Sequence, residues 1–265
     1  MSNTDPAGAD FRRGVSDFTQ ALGFLTRIPL ADRSTGLPDF RDTAWTFPAV
    51  GVVVGLGGGI VYAVAAGVGL PPMLAAALAV TATILLTGAL HEDGLADTAD
   101  GFGGGRTATE KLEIMRDTRI GVYGATALVL SILLRVTAIA ALAGLGAFPV
   151  LLIIVAAEAI SRAGVVKMWN DLPAARPDGL SKDTGSPDAR ATTIALVVAA
   201  VIVAVTSIPA AGFWAALIAS AATAAAVLVF TGICRNQIGG QTGDTLGAVQ
   251  QVAGVTFLVI VAVFV

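Results

Sequence analysis

From Thr43 to Leu90 the chain runs for 48 residues without an Asp, Glu, Lys, Arg or His. An α-helix needs ~20 apolar residues to cross a bilayer, so this run predicts two spans. Pro71-Pro72, after Gly69, divides it, because a helix does not continue easily through a proline pair; the spans are expected at about 46–69 and 73–91. A second uncharged run of 44 residues, Ala191 to Cys234, breaks near Ser207-Ile208-Pro209, and Thr245 to Val265 leaves room for a last span. Two more fit between 121 and 169, parted near Gly144–Pro149, although they carry Arg135, Glu158, Arg162 and Lys167. The total is seven. Composition agrees: 55% of residues are hydrophobic and 13% charged, against ~25% charged in a typical soluble protein. The fold expected is all-α, a polytopic membrane helical bundle forming one domain over 1–265.

The charges alternate between connections. Arg12, Arg13, Arg27, Arg33 and Arg41 precede the first span; Arg106, Lys111, Arg116 and Arg119 follow the second; Arg176, Lys182 and Arg190 follow the fourth; Arg235 follows the sixth. The intervening connections, near 70–72, 144–149 and 207–210, carry none. By the positive-inside rule this places the N-terminus and every charged loop in the cytoplasm, in a multi-pass protein of the cytoplasmic (inner) membrane. All acids but Glu158 fall outside the expected spans, on the same side. Val15, Phe18, Leu22 and Leu25 recur on one helical face, so 10–30 reads as an amphipathic helix, either interfacial or packed on the loops, and not as a signal peptide. A net charge of −3 gives no case for nucleic acid, and one cysteine, Cys234, excludes an internal disulfide.

The informative segment is His91-Glu92-Asp93-Gly94-Leu95-Ala96-Asp97-Thr98-Ala99-Asp100-Gly101. Asp93, Asp97 and Asp100 stand at i, i+4 and i+7, which stacks them on one face of a helix. No cation lies between 43 and 105 to neutralise them. Oxygen donors without sulfur or a histidine cluster favour a hard ion, Mg²⁺ or Mn²⁺; the competing reading is a solvated acidic loop whose aspartates cap helices. Gly94 and Gly101–Gly105 would let backbone approach phosphate oxygens. Thr107-Ala108-Thr109-Glu110 is a capping box opening a helix expected to end near Gly121, so that 92–120 forms a cytoplasmic acidic loop and helix. Arg116 and Arg119 on it suit an anionic ligand or simply the positive-inside rule.

Gly239-Gly240-Gln241-Thr242-Gly243-Asp244 precedes the last span; Asp244 reads as a fourth metal-facing carboxylate or as a helix N-cap. Gly55-Leu56-Gly57-Gly58-Gly59 is no nucleotide fingerprint, lying inside an apolar span. Of the intramembrane charges, Glu158 and Arg162 are four apart and neutralise each other, Lys167 snorkels, and Arg135 has no sequence-local partner, leaving Glu158 or a ligand cavity.

These residues resemble the cobalamin synthases, the adenosylcobinamide-GDP ribazoletransferases. The resemblance rests on the acidic segment 91–101 and on Lys111-Leu112-Glu113-Ile114-Met115-Arg116-Asp117-Thr118-Arg119-Ile120-Gly121. Phe24-Leu25-Thr26-Arg27-Ile28-Pro29, Ala175-Arg176-Pro177-Asp178-Gly179-Leu180 and Thr242-Gly243-Asp244-Thr245-Leu246-Gly247-Ala248 are similar to its other recurring segments. Thr118 stands where the pattern has serine and keeps the hydroxyl. The resemblance implies a Mg²⁺-dependent transferase joining adenosylcobinamide-GDP to α-ribazole or its 5′-phosphate with release of GMP. It implies that Asp93, Asp97 and Asp100, with Asp244, hold the metal. Arg27, Arg116, Arg119 and Arg176 bind phosphate, and a cluster carboxylate or His91 takes the hydroxyl proton. Competing expectations are a CDP-alcohol phosphotransferase-like enzyme, whose second acidic pair falls further on, and a secondary transporter using Arg135, Glu158 and Arg162.

Overall fold

The computed structural model describes residues 6–29, 39–177 and 185–265; Arg33, Lys182 and Asp178-Gly179-Leu180 lie outside them. The helices are α1 (Pro6–Leu25), α2 (Phe40–Thr43), α3 (Phe47–Gly67), α4 (Pro72–Thr87), α5 (Leu90–Gly104), α6 (Ala108–Ile114), α7 (Val122–Ala141), α8 (Ala147–Asp171), α9 (Ala189–Ala211), α10 (Phe213–Ile238) and α11 (Gly243–Val263). Six of them, α3 and α7 to α11, are long and apolar enough to cross a membrane; α4 and α5 together make a seventh candidate, bent by 90°. Seven membrane segments were expected, and α4 is the short one. Outward-facing Val64, Leu85, Val129, Val201 and Leu228 are more than half exposed, the apolar coat a bilayer requires.

Helix α8 is the axis of the bundle, packed by α3, α9 and α11. The glycines of α3 explain the closest of these contacts. A Cβ on Gly51 would lie 2.3 Å from the Glu158 carbonyl oxygen, on Gly55 2.5 Å from Val155 Cα, and on Gly59 2.6 Å from Leu151 Cγ. Residues four apart share one helix face, so the three make a smooth strip that lets two backbones meet, as membrane helices do without a hydrophobic drive between them.

Three boundaries differ from expectation. The second span stops at Thr87 instead of 91, because Gly88 and Ala89 both take left-handed backbone, at φ 66° and 60°, and send α5 across the end of the bundle. Pro209 does not end α9, which runs on to Ala211 before Gly212 turns the chain at φ 90°. Lastly, α6 ends at Ile114 rather than near Gly121. Thr107 caps it as expected, accepting from the Glu110 N–H, but the Glu110 carboxylate accepts from the Arg106 N–H, not from the cap residue.

At the charged end of the bundle, α1 buries Ala21, Leu22 and Leu25 against Phe40, Phe47 and Trp169, while Val15 stays half exposed. After α8 the chain pairs with the α10–α11 turn. The Gln241 N–H donates to the Pro173 carbonyl (2.9 Å) and the Ala175 N–H to the Gln241 carbonyl (2.8 Å). That short parallel bridge sets Arg176 beside the start of α11.

Candidate active site

The acidic segment is a helix, α5, and two contacts aim it. The Arg27 N–H donates to the Leu86 carbonyl (2.7 Å), and the Arg27 side chain lies over Gly88, where a Cβ would fall 2.0 Å from Nε. Only glycine fits under it. Next, α5 crosses α11 through Gly94 and Gly247: a Cβ on Gly94 would lie 2.6 Å from the Asp244 carbonyl oxygen and 3.1 Å from Gly247 Cα. Gly94 therefore joins two helices rather than cradling phosphate. This crossing brings the α5 carboxylates to Asp244.

Beside the crossing is a cavity of ≈ 300 Å³. Its polar wall is His91, Asp93, Asp244 and Arg176; its apolar wall includes Phe24, Leu25, Phe47, Val165 and Trp169. A larger cavity of ≈ 450 Å³ lies between α8, α9 and α10, but apart from Lys167 its lining is apolar or carries hydroxyls bonded within their own helices. Charge and shape favour the smaller one.

Within it, Arg176 spans two elements. Its Nη2 donates to the Leu112 carbonyl (2.9 Å) and its Nη1 stands 3.6 Å from Asp244 Oδ2. Asp244 is not the N-cap of α11: Thr242 is, in a reciprocal box with Thr245. The Asp244 carboxylate is left facing Arg176, accepting also from the Thr242 hydroxyl (3.2 Å). Asp97 is pushed up to about 7, by burial first and then by Asp93, Asp244 and Asp100, with Arg176 opposing. Negative charge thus exceeds positive charge here. His91, 4% exposed, is held well below the usual histidine range by burial and by the Arg162 and Arg135 guanidinium groups. Asp100 is committed to structure: its two oxygens accept from the Gly121 N–H (2.7 Å) and the Gly124 N–H (2.9 Å), fastening α5 to the start of α7.

Beneath the cavity lies a polar network unforeseen from the sequence. Arg135 pairs with Glu92 (2.9 Å), both side chains under a tenth exposed, so the partner is neither Glu158 nor a ligand cavity, and Glu158 is not the only acid within the bundle. Gln251 donates to the same Glu92 oxygen (3.2 Å) and accepts from Ser131. Gln250 bonds Ser161 (3.1 Å), while Arg162 pairs with Glu158 as expected. Lys167 pairs with Asp171. The readable signal was Gln250-Gln251, two amides inside an apolar span, where each needs a partner.

The model of the cobalamin-5-phosphate synthase family matches residues 17–262. The chain belongs to that family. It is 43% identical over 260 residues to the adenosylcobinamide-GDP ribazoletransferase of Bradyrhizobium diazoefficiens, covering 98% of both chains. It is also 43% identical over 256 residues to that of Azorhizobium caulinodans, covering 95% of this chain and 97% of the relative. No solved structure matches.

The family segments converge on this end of the bundle, though not all on the cavity. Phe24 and Leu25, His91, Asp93 and Gly94, Arg176, and Gly243, Asp244, Leu246 and Gly247 line it. Arg116 and Arg119 do not. Arg119 is exposed and forked onto Asp117 (2.6 Å), in the turn that follows α6. The glycines after Asp100 carry packing: a Cβ on Gly101 would meet Met115 at 2.5 Å, and one on Gly103 the Tyr123 ring at 2.5 Å. Trp169, which sequence reasoning passed over, contributes the largest ring of the apolar wall.

Among the described residues no three His, Cys, Asp or Glu side chains already stand together as a metal site. The donor set nevertheless fits Mg²⁺. Such an ion keeps several waters and is bound by one or two carboxylates plus substrate phosphates rather than by a complete protein cage, and the charge excess around Asp97 is what a cation offsets.

Proposed function

We propose that the chain is a Mg²⁺-dependent adenosylcobinamide-GDP ribazoletransferase of the cytoplasmic membrane, with the N-terminus and the cavity facing the cytoplasm. The acceptor is α-ribazole or its 5′-phosphate. The observation that carries the reading is the joining of Asp93, Asp244 and Arg176 around one cavity by the Gly94–Gly247 crossing, within a family whose relatives bear that enzyme's name. The ribazole 3′-hydroxyl oxygen attacks the phosphorus next to cobinamide, and the bond from that phosphorus to the bridging oxygen breaks. The bridging oxygen leaves with GMP, and cobalamin or its 5′-phosphate forms.

Asp97 and Asp244 would hold Mg²⁺, which when bound offsets the diphosphate charge. Arg176 binds phosphate oxygens, its guanidinium already aimed by the Leu112 carbonyl. Asp93 has no partner among the described hydrogen bonds and lines the cavity, so it takes the hydroxyl proton. His91 orients: two arginines disfavour the imidazolium it would become. Asp100 fixes α5, Arg27 fixes its turn, and Arg116 and Arg119 meet the large substrate outside the cavity. Positioning and charge neutralisation supply most of the rate.

Purified protein in lipid nanodiscs, given adenosylcobinamide-GDP, α-ribazole and Mg²⁺, should release GMP and form cobalamin. Absence of both products refutes the transferase; full activity of Asp97→Ala and Asp244→Ala at every metal concentration refutes the metal assignment alone, and full activity of Asp93→Ala refutes its role as the base.

A further inference from the structure

Resting on that reading, we propose that the apolar lining of the cavity, at Phe47, Val165 and Trp169, is the seat of the acceptor's benzimidazole ring. The Trp169 indole N–H is the group that recognises its ring nitrogen.

The cavity lining is mixed: Asp93, Asp244, His91 and Arg176 share it with aromatic and aliphatic side chains. Its ≈ 300 Å³ is the scale of a nucleoside; a corrinoid with its amide fringe is far too large to enter. Two nucleosides take part in the reaction, and their bases differ in what they demand of a wall. Guanine presents donors and acceptors on several edges, and an apolar wall would leave them desolvated and unpaired, at substantial cost. Dimethylbenzimidazole in a riboside has no donor, two methyl groups and a single acceptor nitrogen.

The wall matches the second base. Trp169 belongs to that lining, and its indole nitrogen is buried with no hydrogen-bond partner. A buried tryptophan usually finds a partner for its N–H. The ring is held in place: its centroid lies 5.2 Å from that of Phe40 and 6.4 Å from that of Phe47, both tilted, and Phe24 packs on Phe40 at 4.7 Å. A base seated here leaves its ribose toward Asp93 and Asp244, where the attacking hydroxyl is needed. The guanosine and the corrinoid then stay on the Arg176 side, outside.

The test separates base recognition from the reaction itself. In the nanodisc assay, Trp169→Phe should raise KM for α-ribazole about 10-fold, the worth of one hydrogen bond to a site built for it, with KM for adenosylcobinamide-GDP unchanged. The 5,6-dimethylindole riboside, which differs from α-ribazole only by C–H in place of the acceptor nitrogen, should be about 10-fold poorer than α-ribazole with wild type and equal to it with Trp169→Phe. Val165→Phe, which keeps the indole and narrows the seat, should favour the riboside of unmethylated benzimidazole over α-ribazole. The proposal is overturned if Trp169→Phe still discriminates indole from benzimidazole, if its KM change falls on adenosylcobinamide-GDP, or if Val165→Phe leaves the base preference as it was. A wild-type protein that makes no GMP refutes the transferase reading instead.

Discussion

The Glu92–Arg135 pair is the place where stability and catalysis meet, because Glu92 lies between His91 and Asp93 on α5 while Arg135 belongs to a membrane helix. Its two partners are less than a tenth exposed and 2.9 Å apart. Removing one member of such a pair typically costs about 3–5 kcal/mol, since the other is left charged and buried. Glu92→Gln isolates the charge contribution. The amide oxygen can still accept from Arg135 and Gln251, and the amide nitrogen replaces Glu92 Oε2, which has no partner. Its cost should therefore sit near about 3 kcal/mol, which for a chain of this size lowers Tm by roughly 6–12 °C. Arg135→Met leaves the carboxylate behind and should cost about 3–5 kcal/mol. Combining the two removes both charges, so the double variant should be more stable than the sum predicts by about 1–3 kcal/mol. Thermal unfolding in detergent, followed by tryptophan fluorescence, measures all three. Single costs below about 1 kcal/mol, or additivity within about 0.5 kcal/mol, would show that Glu92 and Arg135 are not a coupled buried ion pair. GMP release by the double variant then tells whether the pair only fastens α5: a stable but inactive protein means that the charge also tunes the cavity.

Other tests bear on the site directly. Gly94→Ala places a methyl 2.6 Å from the Asp244 carbonyl and must part α5 from α11, so kcat should fall by about 100-fold, the effect of a misplacement near 1 Å; full activity would remove the crossing from the argument. Metal-free protein should lose stability as pH rises from about 4 to about 7. Over that range folded Asp97 keeps a proton that the unfolded chain has released; above about 7 the loss should level off. Mg²⁺ should raise Tm more at pH 8 than at pH 5.5, and Asp97→Asn should abolish the difference; an equal rise at both pH values would contradict it. Arg176→Ala should raise KM for adenosylcobinamide-GDP by roughly 10–100-fold, with Arg176→Lys recovering little, because lysine cannot serve the Leu112 carbonyl and a phosphate with a fixed fork. Initial-rate kinetics against each substrate decide it.

How much of this was legible in the sequence depends on what each feature needs to be read. The spans were, because a bilayer imposes one length and one composition on any helix that crosses it: charge-free runs and the prolines that divide them were enough. The acidic spacing was legible too, since i, i+4, i+7 is a property of one helix. What joins two helices was not. Ala89 in left-handed backbone gives no signal in sequence, so the end of the second span and the 90° turn of α5 were missed. Gly94 reads equally as a flexible loop residue or as a contact point until the helix across from it is known. Arg135 illustrates the same limit energetically: its partner lies 43 positions away, and only packing brings it in. Asp100 shows the converse, a residue whose spacing groups it with Asp93 and Asp97 while its position, facing two free N–H groups of α7, gives it other work.

That division of labour explains why the acidic helix stands where it does. An excess of carboxylates is tolerable only where water or a cation can reach it, yet the aspartates must be rigid to meet a diphosphate in one geometry. The chain meets both demands by anchoring α5 through groups other than the reactive ones. Asp100 fastens its C-terminal part to α7, Glu92 ties its first turn to Arg135 and Gln251 inside the bundle, and Gly94 locks its middle onto α11. Among the described residues, Asp93 and Asp97 are then free of hydrogen-bond partners and are held in place by their neighbours. A carboxylate that fastened the helix could not also be given up to a metal without loosening it, so the aspartate spent on α7 and the aspartates left for a ligand have to be different residues.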